Sequence, residues 1–150
     1  MIVTEFGETV FGSSGLDPYL EDPSTLWLLH WNILRQELRC TTWHWVFNRF
    51  PSVEFTREML TQFVFDEARR VCGPKLAENS IRRDVDVFLR TYVGSGGHRA
   101  PKVAEDAFDC PLSELGLIEA RPGSQLYQLQ RRPRQTLGDF AFLYALCDFW

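Results

Sequence analysis

No stretch of eighteen apolar residues occurs anywhere in the chain, so nothing in it reads as a membrane-spanning helix. The first residues, MIVTEFGETVFG, lack a basic region followed by an apolar stretch, which excludes the pattern of a secretory signal. No CxxC pair exists among Cys40, Cys72, Cys110 and Cys147. Each has apolar neighbours in sequence, so reduced core thiols in a cytoplasmic protein are expected. The catalytic and cofactor signatures are missing too: there is no P-loop, no Gly-rich dinucleotide turn and no HExxH. GSSG at 12–15 lacks the G-x-S-x-G spacing of a nucleophile elbow and has no apolar strand before it. GSGG at 94–97 follows a helical pattern rather than a strand, so it is a poor phosphate cradle. No cofactor and no catalytic residue is expected.

What the sequence does have is rings. Five Trp and twelve Phe in 150 residues supply enough apolar area for an aromatic core, in a chain the size of one domain. The net charge is −4, which argues against a global polyanion-binding surface. Charge is unevenly spread, however. Residues 75–135 hold ten Lys/Arg against eight Asp/Glu, a local +2, whereas residues 1–74 hold six against ten, a local −4.

Punctuation and periodicity divide the chain into four stretches within a single helical domain. Residues 1–22 are a leader with one short element and an acidic loop, GLDPYLEDP. Residues 23–74 are aromatic-rich helices. Asp22-Pro23-Ser24 is a strong helix start, opening a central, buried helix to about Leu38. Thr41 and Thr42 open a second helix that Pro51 ends, and Thr56 caps a third that runs to Cys72 and stops at Gly73-Pro74. Residues 75–135 hold a helix, a loop and a hairpin. Ser80 is a good N-cap, and Ile81, Val85, Phe88, Leu89 and Tyr92 then form one amphipathic stripe. Arg82, Asp86 and Arg90 recur every four residues on its other side, where opposite charges pair. Residues 94–111 read as a polar, mobile loop. Pro122-Gly123-Ser124 between alternating residues reads as a β-hairpin. Residues 136–150 form a last helix capped by Thr136, with Trp150 docked on the core. The fold class is therefore mainly α, about five helices plus one small β-hairpin.

A helix, a short turn ending in L-x-x-L-G-L-I and a hairpin ending in Y-x-L is how many winged-helix domains close, which makes residues 80–131 winged-helix-like. Basic residues on the helix and wing of such domains hold phosphates. Arg82, Arg83 and Arg90 on the helix, with Arg131, Arg132 and Arg134 after the hairpin, are the candidate nucleic-acid or partner-binding residues. The plainer reading is a solvated helix face and hairpin end. Asp17, Tyr19 and Glu21 form a second candidate, an interaction loop. The plainer reading there is a turn at Asp17-Pro18 and a helix cap at Asp22.

His30, Cys40 and His44 invite a metal reading. Structural zinc needs four closely paired ligands, and these histidines lie inside aromatic helices, so no metal site is assigned.

Five segments taken together resemble a known family: GLDPYLEDPSTLWLLHW at 15–31, W-x-W-x-F-N at 43–48, SIRRDVDVFLRTYV at 80–93, PLSELGLI at 111–118 and the closing FAFLYALCDFW. They are similar to the bacterial domain-of-unknown-function family 4007. The resemblance implies longer members, with this chain matching their C-terminal half, and no established enzymatic activity. It also implies an association with DNA sulfur-modification and phage-defence loci. The function expected from it is a non-enzymatic accessory or regulatory module that binds DNA or a protein partner encoded nearby. A protein-interaction or oligomerisation domain without nucleic-acid contact is the alternative. An enzyme built on the acidic loop and a histidine ranks last.

Overall fold

The computed structural model describes residues 3–73, 76–93 and 109–150. Most of the polar loop expected at 94–111, including GSGG, lies outside them. The described residues form six α-helices, a 3-10 helix and a small antiparallel sheet of three strands. The mainly α class is as the sequence implies. The chain divides into two compact units, residues 1–32 with 133–150, and residues 33–132.

The first unit opens on α1 (Glu5–Phe11), capped by the Thr4 hydroxyl, which accepts from the Gly7 amide at 3.1 Å. The loop after it folds back: the Leu16 and Asp17 amides donate to the Thr9 and Val10 carbonyls. At Gly15 a Cβ would lie 2.4 Å from the Val10 carbonyl oxygen, so only glycine permits this return. α2 (Pro23–Leu34) begins where expected, with the Asp22 carboxylate accepting from the Ser24 amide at 2.8 Å. It stops four residues earlier than the pattern suggests. The reason is local: the Leu34 carbonyl lies 2.6 Å from His44 Nδ1, and the following residues turn.

α6 (Asp139–Phe149) completes this unit. Trp31 Nε1 donates to Asp148 at 2.9 Å, and Trp27 Nε1 donates to the Thr136 hydroxyl at 3.2 Å. That contact occupies Thr136, which therefore does not cap the helix; Gly138 stands at the cap without a side-chain bond. The expectation that Trp150 docks on the core is not met, since it is almost fully exposed. Only Ala141 is buried along it, and Phe140, Phe142, Leu143, Leu146, Phe149 and Trp150 face outward.

The second unit runs α3 (Thr41–Arg49), β1 (Glu54–Thr56), α4 (Arg57–Cys72), α5 (Glu78–Tyr92), the 3-10 helix (Pro111–Leu115), β2 (Ile118–Ala120) and β3 (Leu126–Leu129). Thr56 caps α4, accepting from the Met59 amide at 3.3 Å. α5 starts at Glu78 rather than after Ser80, with Ala77 at the cap. Glu78 in the first turn suits the positive end of the helix dipole, and its carboxylate meets Arg82 one turn on. Gly116, with φ at +58°, turns the chain out of the 3-10 helix into β2.

The predicted hairpin is present, with Ile118 opposite Leu129 and Ala120 opposite Tyr127. It is two-thirds of a sheet whose order is β1-β3-β2, because Glu54, Phe55 and Thr56 pair with Gln128, Tyr127 and Leu126. The sequence reading missed β1. It is only three residues long, too short for its exposed–buried–intermediate pattern to stand out, and its pairing partner lies about seventy residues on.

The core of this unit is aromatic. Phe55, Phe88 and Tyr92 are fully buried with Leu60, Val64, Val85 and Val46. Phe88 packs against Trp43, Phe47 and Tyr92, and Phe55 against Phe50 and Tyr127. The four cysteines are free, but Cys72 and Cys147 are exposed rather than core thiols, and Cys40 and Cys110 are half-buried. Cys72 sits on the last turn of α4 and Cys147 on the outer side of α6, where sequence neighbours are apolar but spatial ones are few. Among the described residues no helix is long and apolar enough to cross a membrane.

Candidate interaction surfaces

α5 buries Ile81, Val85, Phe88, Leu89 and Tyr92, which fixes its opposite face to solvent. Arg82, Arg83 and Arg90 stand on that exposed face. The i,i+4 ladder expected through Asp86 does not form. Arg82 instead pairs backward with Glu78 at 2.8 Å. Asp86 takes Arg57 from the start of α4 at 2.6 Å, and Arg90 Nε donates to the Asp86 backbone carbonyl at 3.3 Å. Asp86 leans to α4 because a neighbouring helix offers a better-placed guanidinium than its own next turn.

These side chains border two shallow depressions that share Arg57. One is lined by Arg57, Glu58, Thr61, Gln62, Glu78 and Arg82. The other is lined by Arg57, Asp86, Leu89, Arg90 and Tyr127. Together they make a shallow trough along α5 in which guanidinium and carboxylate groups alternate. Glu58 lies on it with its carboxyl held below the usual range by hydrogen bonds at its own amide and the Thr56 hydroxyl, with help from the Arg57 and Arg82 charges. Arg57 and Tyr127 were not anticipated. Neither carries a local signal, since the spacing from Arg57 to Asp86 follows only from how α4 packs on α5.

On the hairpin, Arg132 pairs with Glu119 at 2.7 Å, and Arg121 pairs across the sheet with Glu54. Arg131 is exposed and borders a small hollow of mixed polarity with Val46, Phe47, Leu117, Leu129 and Gln130. Arg134 belongs to the first unit and is half-buried there. Of the arginines on this helix and hairpin, Arg82, Arg121 and Arg132 are matched by carboxylates. Arg83 is exposed and has no ion-pair partner among the described residues.

In the acidic loop, Asp17 is buried and both of its oxygens are used. Oδ1 accepts from the Glu21 amide at 2.8 Å and Oδ2 from the Asp22 amide at 3.1 Å. Desolvation pushes its pKa up, but these amides, the Leu20 amide and the Thr25 hydroxyl together outweigh that and hold it below the usual range. Asp17 thus organises the loop from within. Tyr19 and Glu21 are exposed on it, and Leu20 adopts a positive φ of 57°.

The three metal-like residues do not gather. His30 is buried in α2, edge-on to Trp27 at 6.0 Å. Its pKa is lowered to about 4 by desolvation. His44 belongs to the second unit, 3.9 Å from Glu37. Among the described residues no group of three His, Cys, Asp or Glu side chains is arranged to hold a metal ion.

Two solved structures of SspB, one of them magnesium-bound, resemble this chain. The magnesium-bound form aligns with a TM-score of 0.85 and 31% identity over 96% of this chain and 43% of its own. The other gives 0.81 and 31% over 96% and 42%. The chain thus spans less than half the length of these relatives. No curated protein matches it. The family model described as "Protein of unknown function (DUF4007)" matches residues 1–150, and the chain belongs to that family.

Proposed function

We propose that this chain is a non-enzymatic accessory module of a bacterial DNA-modification and defence system, and that it touches duplex DNA through α5 and the β2–β3 hairpin. The observation that carries the reading is topological. Among the described residues the second unit runs α3, β1, α4, α5, the 3-10 helix, β2 and β3, with its sheet in the order β1-β3-β2. This order supports a winged-helix-like reading, in which the long helix ahead of the wing enters the major groove. Here that helix is α5, with Arg82, Arg83 and Arg90 outward. The family resemblance supplies the DNA-modification context.

The matched charges set the expected strength. Glu78, Asp86 and Glu119 already engage Arg82, Arg57 and Arg132, so a phosphate must displace a carboxylate at each. Binding should therefore be modest and strongly salt-dependent. The test is a fluorescence-anisotropy titration against duplex and single-stranded DNA at two salt concentrations. The expected result is duplex binding that weakens steeply with salt and vanishes in Arg82→Glu/Arg83→Glu. If affinity survives that double reversal, the surface is wrongly assigned.

The same neutral trough motivates a second reading, a protein partner with mixed charge and no nucleic-acid contact. Absence of DNA binding at low salt would favour it. The enzyme reading loses its base in the acidic loop, since both Asp17 oxygens are committed to backbone amides.

A further inference from the structure

α6 is apolar on both sides, and only one side is used within its unit. Its inner strip consists of the buried Ala141, the half-buried Tyr144 and Ala145, and Asp148, whose carboxylate accepts from Trp31. The outer half carries Phe142 and Leu143, each 54% exposed, Leu146 at 43% and Phe149 at 73%. Phe140 at 65% and Trp150 at 93% flank them. Phe142, Leu146 and Phe149 are spaced by four and then three residues, the spacing of a helix–helix seam. A helix that is apolar all round belongs inside a larger assembly.

We propose that this face is a dimerisation seam and that its occupant is α6 of a second copy of this chain. Three observations select that occupant. The first is area. At about 150–250 Å² for an aromatic side chain, the exposed fractions leave on the order of 700 Å² of ring and methyl surface. Each partner of a standard interface gives up roughly 800 Å². One copy of α6 against another therefore nearly completes such an interface. The second is charge. The charged residues of α6 are Asp139, in its first turn, and Asp148, turned toward Trp31, so nothing along the seam repels its own image. A face without charge gives a differently charged partner nothing to recognise. The third concerns lipid. A membrane-surface helix carries Lys and Arg on its polar side, and α6 has neither. Two helices crossing about a two-fold axis near Leu146 place the same residues on both sides and close the assembly at two copies.

The experiment is the mass of the purified 150-residue protein by light scattering, over a wide concentration range. The expected result is twice the chain mass in the wild type, falling to the single-chain mass in Leu146→Asp with the far-UV circular dichroism unchanged. Phe149→Ser, at the end of the seam, keeps the test intact if Leu146→Asp does not fold; it should weaken the dimer at least tenfold. A wild-type monomer at the highest concentration overturns the proposal. So does a dimer that both variants leave intact, or an assembly that grows beyond two copies. The seam lies in the first unit and its test uses no DNA, so its failure is independent of the function proposed above.

Discussion

The Arg57 guanidinium at the start of α4 lies 2.6 Å from the Asp86 carboxylate in the middle of α5. Both side chains remain more than a third exposed, so this pair contributes little stability, about 0–1 kcal/mol. Its larger effect is on charge: it neutralises the arginine shared by both depressions of the α5 trough.

Asp86→Asn should therefore leave the fold intact and raise duplex affinity. A freed guanidinium that meets one more phosphate steepens the plot of log affinity against log salt by about 0.9. Anisotropy titrations of the variant and the parent at several salt concentrations measure this. An unchanged slope would mean that Arg57 does not reach the nucleic acid.

Phe88 anchors the second unit. It is fully buried, with ring centroids 5.4 Å from Tyr92, 5.7 Å from Phe47 and 5.8 Å from Trp43. Three rings around one leave little room for collapse after truncation. Phe88→Ala should cost about 3–5 kcal/mol, read as a lower urea midpoint at constant slope. A loss under about 1 kcal/mol would mean that the neighbouring rings swing in to fill the space.

Much of the second unit was legible because its signals are local. The stripe from Ile81 to Tyr92, the Thr56 cap and the Pro-Gly-Ser turn each depend on neighbours within a few residues, and all three stand where they were expected. What stayed hidden is non-local. β1 exists because Phe55 pairs with Tyr127, and Asp86 faces Arg57 because two helices pack. The alternation around Phe55 is too short to stand out, and the ion pair leaves no periodic trace. α6 misled for the opposite reason: its apolar content is real, but composition does not say whether a face meets its own unit or solvent.

Asp17 should act as a local clamp. Its carboxylate holds the Glu21 and Asp22 amides just ahead of α2. Asp17→Asn removes the charge and one acceptor, so hydrogen exchange at both amides should speed up while the second unit is unaffected. The folded pKa lies below the ordinary value. The clamp is therefore fully present above that ordinary value and weakens as pH falls through the lowered one. Exchange at Glu21 and Asp22 that is indifferent to the substitution would show that the loop is held by other contacts.

His30 makes the first unit acid-sensitive. Burial in α2 lowers its pKa from 6.5 to about 4, so the folded state holds it neutral while the unfolded chain protonates it readily. The sign follows from proton uptake. Above about 6.5 neither state is protonated and the contribution is fully present. Between 6.5 and 4 the unfolded state gains a proton that the folded state refuses, and stability falls as pH falls. Across that window the loss is roughly 3 kcal/mol, at 1.36 kcal/mol for each unit of difference. Carboxylates titrate in part of the same range, so the informative quantity is the difference between two proteins. His30→Gln keeps a polar side chain of similar size and cannot be protonated. Its stability, from denaturant unfolding at closely spaced pH values, should decline less than the parent's between 6.5 and 4. Parallel curves would mean that the imidazole becomes charged in the folded protein as easily as in the unfolded chain.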